Sequence, residues 1–244
     1  MNPGYLWALL VRDPLIILST ILFGSVSVAV SFFDPRGWAT DKIARAWARL
    51  LLFLAGVRLR VRGTEKLAGG GPYVFAGNHV SLYDTPVALT AMPERFLFLV
   101  NAKYVRLPFL GTHLRRTGHF PVDPEDVRGS LRIMTEAART ILRRRLSVLV
   151  FPEGSRSRTG RLGEFKEGAA YIAIKAGVPL APFAIRGTRE VLAIGSLYVK
   201  GGRVEVLFGE PISTEGCTLK DRTRLTQKLR EAVASLVAEL DARD

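Results

Sequence analysis

A histidine and an aspartate five positions apart, His79 and Asp84, are the residues of this chain best suited to acid–base chemistry. They lie in the segment Asn-His-Val-Ser-Leu-Tyr-Asp, which follows a short apolar run. Positions five apart on one helix point in different directions, so these side chains meet only if the chain bends over residues 80–83. In that case the carboxylate holds one imidazole nitrogen and leaves the other to accept a proton from a substrate hydroxyl. The spacing predicts a general base with its orienting partner, and the alternative is that Asp84 only caps a helix.

A second polar cluster, Phe-Pro-Glu-Gly-Ser-Arg-Ser-Arg, occupies residues 151–158. Its Pro-Glu-Gly turn, at the end of an apolar run, is predicted to present Glu153, Ser155 and Arg156 together. Arginine binds phosphate through two parallel hydrogen bonds, and Glu153 would accept from a glycerol hydroxyl or brace Arg156. The cluster predicts a site for an anionic substrate. An ordinary glycine turn with a surface ion pair is the alternative.

The charge and the cysteine content narrow the class of protein. With 35 Lys and Arg against 22 Asp and Glu, the net charge is +13, which attracts phospholipid headgroups, phosphorylated metabolites or acidic carrier proteins. Nucleic acid would account for the charge only, because the chain has no recognised reading motif. The single cysteine, Cys217, excludes an internal disulfide and a cysteine metal site. We expect no metal, since no His, Asp and Glu cluster occurs beyond the pair described above.

The N-terminal region has the composition of a membrane-associated segment. Residues 14–33 contain no charge and as a helix would reach about 30 Å, the thickness of a hydrocarbon core. Their serine, threonine and glycine content leaves half-insertion open beside a full span. Residues 38–55 predict an amphipathic helix whose Lys42, Arg45 and Arg49 lie on anionic headgroups, with packing on its own domain as the alternative. The basic residues that follow residues 14–33 outnumber those before them, which predicts that the rest of the chain is cytoplasmic.

The remaining sequence alternates between strand and helix patterns. Residues 57–62 alternate apolar and basic side chains, which is typical of a strand with one solvated face. Further strands are predicted at residues 73–76, 96–100, 147–151, 180–185 and 204–208, and helices at 127–141 and 225–240. This order predicts an α/β fold with a mixed, mostly parallel sheet flanked by helices. We divide the chain into an N-terminal two-helix segment, residues 1–56, and an α/β domain, residues 57–244.

Several short blocks occur in an order that resembles a known family. They are Asn-His-x-x-x-x-Asp at 78–84, Gly-His-Phe-Pro-Val-Asp at 118–123, Phe-Pro-Glu-Gly-Ser-Arg-Ser at 151–157, Phe-Lys-Glu-Gly at 165–168 and Val-Pro-Leu-Ala-Pro at 178–182. Over about residues 62–185 the chain is similar to the bacterial 1-acyl-glycerol-3-phosphate acyltransferases. The resemblance implies transfer of an acyl chain, without a cofactor, from acyl-CoA or acyl carrier protein to the sn-2 hydroxyl of a lysophospholipid. The product would be phosphatidic acid, made at the cell inner membrane.

The resemblance also implies roles for individual residues. It makes His79 the general base and Asp84 its partner. It assigns substrate binding to Lys103, Glu153, Gly154, Ser155 and Arg156. His113 and His119 lack comparable contexts, and we expect them to be surface or satisfied histidines.

One position departs from the family's pattern. A basic residue usually follows the Val-Asp of the second block, but here it is Pro124. We expect Asp123 to cap the helix over residues 127–141, with Pro124 in its first turn. The departure leaves other acceptors open, namely glycerol-3-phosphate or another lysolipid. An anionic-lipid-binding protein without catalytic activity is the remaining alternative.

Overall fold

The computed structural model describes residues 8–67, 69–107, 110–196 and 198–242. Two helices that precede the first strand in the chain pack against each other. Residues 1–7 of the predicted N-terminal segment (1–56) and residues 243–244 of the predicted α/β domain (57–244) lie outside the described residues. Helix α1 (Asp13–Ser31) continues from a π-helical turn (Ala8–Arg12), and α2 is Trp38–Leu54. Asp34 accepts hydrogen bonds from the backbone of Trp38 and Thr40 at 3.1 and 2.9 Å, which satisfies free N–H groups at the start of α2.

Seven strands of the described residues form one sheet. They are β1 (Val57–Arg62), β2 (Val74–Gly77), β3 (Phe96–Asn101), β4 (Phe120–Val122), β5 (Ser147–Val150), β6 (Leu180–Arg186) and β7 (Gly202–Phe208). Their spatial order is β1-β7-β6-β2-β5-β3-β4, and β6 with β7 is the antiparallel pair. The predicted mixed, mostly parallel sheet is confirmed.

Helices cover both faces of the sheet. They are α3 (Asp84–Ala91), α4 (Leu110–Thr117), α5 (Val127–Arg144), α6 (Gly168–Ala176), α7 (Thr188–Val191) and α8 (Arg222–Asp241). Buried residues of α2 and α3 share one hydrophobic core with Phe75 and Phe183. Those of α5, α6 and α8 share a second core with Val148 and Leu180 on the other face. The central strands β2 and β5 are buried along their whole length, which is why they are apolar runs without alternation.

Two local predictions were wrong. The cap of α5 is Asp126, whose Oδ1 accepts from Gly129 N at 2.8 Å. Asp123 closes a turn before the helix, with Asp126 N donating to its carbonyl at 3.1 Å. Pro124 therefore lies in that turn and not in the first turn of α5. The three-residue strand β4 was not predicted, because Phe-Pro-Val is too short to show a period.

Arg45 does not belong to a lipid-facing basic surface on α2. Its guanidinium donates to the carbonyls of Leu89, Met92 and Glu94 at 3.1, 2.8 and 2.6 Å. The last carbonyls of a helix have no partner inside the helix, so an arginine from a packed neighbour is a favourable ligand for them. The prediction that Arg45 lies on headgroups was wrong, because Arg45 ties α2 to the end of α3.

Candidate active site

His79 and Asp84 meet at the carboxyl edge of the sheet, where β2 has ended and α3 begins. His79 Nδ1 lies 2.6 Å from Asp84 Oδ2, and the chain bends through residues 80–83 between them. The Asp84 side chain is fully buried, whereas that of His79 is 17% exposed. Because Nδ1 faces a carboxylate it carries the ring proton, and Nε2 is left as an acceptor. Within the described residues Nε2 has no hydrogen-bond partner.

Asp84 is held in place from two directions. Its Oδ2 also accepts from Val80 N at 2.7 Å and Ser81 N at 2.9 Å. Its Oδ1 accepts from the hydroxyl of Thr188 at 2.5 Å. These bonds fix the carboxylate in one orientation. They also commit the amides of Val80 and Ser81, which are therefore not available to stabilise negative charge on a substrate.

The loop that carries the second cluster clamps His79 through its backbone. Glu153 Oε1 accepts from His79 N at 2.8 Å, and Oε2 accepts from Gly163 N at 3.0 Å. On the other side, Ser157 N donates to the carbonyl of His79 at 2.8 Å. The ring of Phe151 stacks on the imidazole, with centroids 4.1 Å apart and planes 12° apart. The two polar clusters of the sequence thus form one site.

The remaining residues of this loop occupy different environments. Burial raises the pKa of Glu153 against the lowering effect of its two backbone hydrogen bonds. Glu153 makes no ion pair with Arg156 in the described parts of the chain. Ser155 is exposed and Arg156 half-buried, and both line the same cavity. Gly154 has φ +73°, a left-handed turn that favours glycine.

Asn78 anchors the start of the catalytic bend to the neighbouring strand. Its side-chain amide donates to Ile185 O at 2.9 Å, and its Oδ1 accepts from Ile185 N at 2.8 Å. The preceding Gly77 allows this approach, because a Cβ there would lie 2.5 Å from the ring of Phe183. The position of His79 is therefore fixed by β6 as well as by its own strand.

A cavity of about 1420 Å³ opens beside His79. One part of its lining is apolar and comes from α1, α2, α3 and β3, with Phe23, Ile43, Trp47, Leu51, Leu89 and Phe98. Another part is cationic, with Lys103, Arg156, Arg158, Lys166 and Lys175. None of these five cations forms an ion pair with a carboxylate of the described residues, and Lys103 lies 5.1 Å from the ring centroid of Tyr104. The cavity therefore offers one region for a hydrocarbon chain and one for an anionic group.

Sequence reasoning missed Thr188 and the hydrogen bond by which Glu153 holds the backbone of His79, since it predicted that Glu153 would brace Arg156 or bind glycerol. Thr188 follows Asp84 by 104 positions and belongs to the four-residue helix α7, so no local pattern links the two. The Arg-Gly-Thr turn gives a weak signal, since Gly187 has φ +91°. No group of three His, Cys, Asp or Glu side chains that would hold a metal occurs in the parts of the chain described by the structure.

The fold and the site define an enzyme class. A mixed α/β sheet presents a carboxylate-held imidazole over a cavity with apolar and cationic regions, which is the arrangement of an enzyme that transfers acyl groups to a hydroxyl. The family model for acyltransferases matches residues 58–186. The chain belongs to the acyltransferase family.

Individual relatives agree with this assignment. The 1-acyl-sn-glycerol-3-phosphate acyltransferase alpha of Homo sapiens is 27% identical over 221 residues, which cover 90% of this chain and 78% of the human protein. The chloroplastic 1-acyl-sn-glycerol-3-phosphate acyltransferase LPAT1 of Arabidopsis thaliana is 31% identical over 186 residues, or 75% of this chain and 51% of the plant protein.

A solved structure shares the whole fold. The crystal structure of the 1-acyl-sn-glycerophosphate acyltransferase from Thermotoga maritima superposes with a TM-score of 0.79 at 24% identity and covers 97% of both chains. This likeness includes the two N-terminal helices, because it extends over nearly the full length of this chain.

Proposed function

We propose that this chain transfers a fatty acyl chain from acyl-CoA or acyl carrier protein to the sn-2 hydroxyl of 1-acyl-glycerol-3-phosphate, forming phosphatidic acid. The observation that carries the proposal is the free Nε2 of His79, held by Asp84 beside a cavity that is both apolar and cationic. The human and plant relatives are both 1-acyl-sn-glycerol-3-phosphate acyltransferases by name, which supports this acceptor.

The reaction requires a base during attack, because an alcohol is far too weak an acid to be ionised beforehand by an imidazole. The acceptor oxygen forms a bond to the thioester carbon while its proton passes to Nε2 of His79. Asp84 stabilises the imidazolium that results. When the tetrahedral intermediate collapses, the C–S bond breaks and the proton on Nε2 passes to the leaving thiolate. The products are the ester and the free thiol.

The cationic region supplies the contacts for the phosphate of the acceptor. Lys103 lies just after β3, and Arg156 and Lys166 lie in the connection between β5 and α6; all three line one cavity and have no acidic partner in the described chain. Unpaired cations of this kind attract a phosphate, and arginine adds the option of two parallel hydrogen bonds. In this proposal Ser155 forms a hydrogen bond with the glycerol, while Glu153 acts through the backbone of His79.

Pro124 favours a second candidate acceptor. It lines the cavity without charge, so the wall formed by β4 and the following turn contributes no cation at this position. A lysolipid with a larger headgroup carries its phosphate as a singly charged diester and would therefore need fewer cations on that wall, while glycerol-3-phosphate, which has the same phosphate monoester, is the other acceptor left open. The two candidates share the reaction and differ only in the acceptor.

The test is a panel of acceptors and donors with release of thiol as the readout. The purified protein is given 1-acyl-glycerol-3-phosphate, glycerol-3-phosphate and lysolipids with larger headgroups, each with acyl-CoA and with acyl carrier protein. The proposal expects the highest kcat/KM with 1-acyl-glycerol-3-phosphate. If none of the acceptors in the panel leads to release of thiol, the proposal fails and an anionic-lipid-binding protein without catalytic activity takes its place.

We further propose that the N-terminal helices insert into one leaflet of the inner membrane from the cytoplasmic side. The segment Ala8–Ser31 is long and apolar enough to cross a bilayer, but its Ser19, Ser27 and Ser31 are buried against the protein. The hydroxyl of Ser27 forms a hydrogen bond with Nδ1 of His113 at 2.8 Å, and that of Ser31 accepts one from Arg116 at 2.6 Å. His113 and Arg116 both lie in α4. A helix held to the α/β domain along one side is suited to lie in the interface, with its opposite, apolar side in the acyl chains.

Insertion into one leaflet and a full transmembrane span differ in the side of the membrane on which the N-terminus lies. In a Cys217→Ser background, a cysteine introduced near the start of α1 is treated in inside-out vesicles with a reagent that does not cross membranes. Insertion into one leaflet places this cysteine on the same side as the α/β domain, so it is labelled. Protection until the vesicles are opened would show a span.

A further inference from the structure

The apolar region of the cavity contains polar groups that the proposed reaction does not use. His119 lines the cavity next to Phe98 and Leu114. Its Nδ1 accepts from the backbone N–H of Phe98 at 2.9 Å. A nitrogen that accepts from an amide carries no proton, so the ring proton is on Nε2. Within the described residues this Nε2–H has no acceptor at hydrogen-bond distance, and the ring therefore presents an unused donor.

Two further polar groups lie beside it. His113 has its ring centroid 5.8 Å from that of His119, and its Nδ1 is 2.8 Å from the hydroxyl of Ser27. All three residues line the cavity, and Ser27 is 3% exposed. Burial lowers the pKa of both histidines and, together with the nearby His113, brings that of His119 to about 3. Both imidazoles are thus neutral at physiological pH and act as hydrogen-bond groups.

The strand register gives the depth of this cluster. Phe98 of β3 and Phe75 of β2 both pair with Leu149 of β5, so they are level with each other and two strands apart. His79 follows Phe75 by four residues. When the direction of β2 is continued from Gly77 to His79, a strand spacing of about 4.8 Å and a rise of about 3.3 Å per residue place the backbone of Phe98 roughly 16 Å from that of His79. A chain with its carbonyl at His79 would meet the cluster with its distal half.

We propose that His119, supported by His113 and Ser27, forms a polar subsite that selects acyl chains carrying an oxygen, as a hydroxyl or keto group, in their distal half. The inference rests on the proposed function, since that function places the carbonyl at His79. A plain chain leaves the Nε2–H donor unpaired in an apolar region, which is unfavourable. An oxygen at this depth accepts from it. A site with a polar group in place discriminates more strongly than an apolar wall does.

The experiment compares three stearoyl donors, one plain, one hydroxylated at its twelfth carbon and one at its third. The wild type is expected to favour the twelfth-carbon isomer over the plain donor about tenfold in kcat/KM, as one buried hydrogen bond allows, and to show no preference for the third-carbon isomer. In His119→Asn the shorter amide keeps an acceptor for Phe98 N–H and withdraws the Nε2 donor. The ratio should then fall to about one. Because each ratio is taken within one variant, a general loss of activity cancels.

A second arm uses a plain donor and an acceptor whose own chain is hydroxylated at the twelfth carbon. A His119-dependent preference in this arm assigns the subsite to the acceptor chain, and one in the first arm assigns it to the donor. Equal use of plain and hydroxylated chains in both arms, or a ratio that is the same in His119→Asn, would overturn the proposal.

A binding measurement separates this inference from the proposed function. Trp47 lines the same cavity, and in a variant that keeps it as the single tryptophan its fluorescence reports binding of free fatty acids. Tighter binding of 12-hydroxystearate than of stearate, lost in His119→Asn, supports the subsite even if no donor is turned over. Equal affinities of the two acids for the wild type would contradict it.

Discussion

The hydroxyl of Thr188 lies 2.5 Å from Oδ1 of Asp84, and both side chains are fully buried. The other carboxylate oxygen of Asp84, Oδ2, forms a hydrogen bond with Nδ1 of His79. A threonine at the first position of α7, shortly after β6, therefore orients the partner of the proposed base. Thr188 touches no substrate in this arrangement and acts as a positioning residue.

Replacing Thr188 with valine should lower kcat about tenfold and change KM little. Valine has nearly the same shape but no hydroxyl, so Oδ1 loses a hydrogen bond to a charged group, which is worth about 1.5–3 kcal/mol. Thr188→Ser keeps the donor and is the matched control. Steady-state kinetics of the three proteins, with thermal melting to check the fold, measure the effect. A kcat in Thr188→Val equal to that in Thr188→Ser would show that this bond does not act on the dyad.

His79→Ala should abolish acyl transfer and leave the fold intact, because the imidazole packs at the cavity wall and the clamp on residue 79 uses only its backbone. Asp84→Asn should reduce kcat by about ten-thousandfold, since an amide cannot orient the imidazole tautomer as a carboxylate does. Thiol release measured with saturating substrates tests both. Near-normal turnover in His79→Ala would refute the assignment of the base.

The sequence predicts the parts of this site that depend on local pattern. The strand before His79, the bend and the helix from Asp84 follow from an apolar run, a polar segment and a Thr-Pro start, and the structure has all three. The contacts that hold them come from elsewhere. Thr188, Gly163 and Ile185 meet the site only through the strand order, which places β6 and β5 on either side of β2. Short-range periodicity carries no information about such pairings.

The same reason explains the wrong prediction for α2. Lys42, Arg45 and Arg49 share one side of a helical wheel, so they have the same pattern. Which of them meets another helix depends on where α2 crosses α3. Arg45 falls at the carbonyl end of α3, where unpaired oxygens are available.

Arg45→Met should therefore destabilise the protein by about 2 kcal/mol. The substitution keeps most of the side-chain volume and leaves three carbonyls without their charged donor. Arg49→Met is the matched control on the same helix, because Arg49 is exposed and forms no hydrogen bond or ion pair within the described chain. It should change stability by less than about 0.5 kcal/mol. Denaturant unfolding measures both, and equal effects of the two substitutions would argue against the role of Arg45.

His119 should make stability depend on acid. Its pKa is about 3 in the folded protein and 6.5 ordinarily, so between these values the unfolded chain binds the extra proton. The contribution of neutral His119 to the free energy of unfolding is then complete above pH 6.5. It is lost as the pH falls toward 3, by up to about 1.4 kcal/mol per pH unit. His119→Asn should show a shallower slope over this range. Identical slopes for variant and wild type, from thermal melts at several pH values, would show that His119 is protonated in the folded state.

The exposed side of α1 should determine vesicle binding. Leu18 on α1 and Leu142 on α5 are each 60% exposed, but α1 packs on the side of the sheet that carries α2 and α3, while α5 covers the other. Insertion of α1 into a leaflet places Leu18 among acyl chains, where a lysine is costly. Leu18→Lys should weaken sedimentation with anionic vesicles several-fold, and Leu142→Lys should bind as the wild type does. Equal loss in both variants would mean that binding follows overall hydrophobicity, and unchanged binding of Leu18→Lys would place the membrane contact on a different surface.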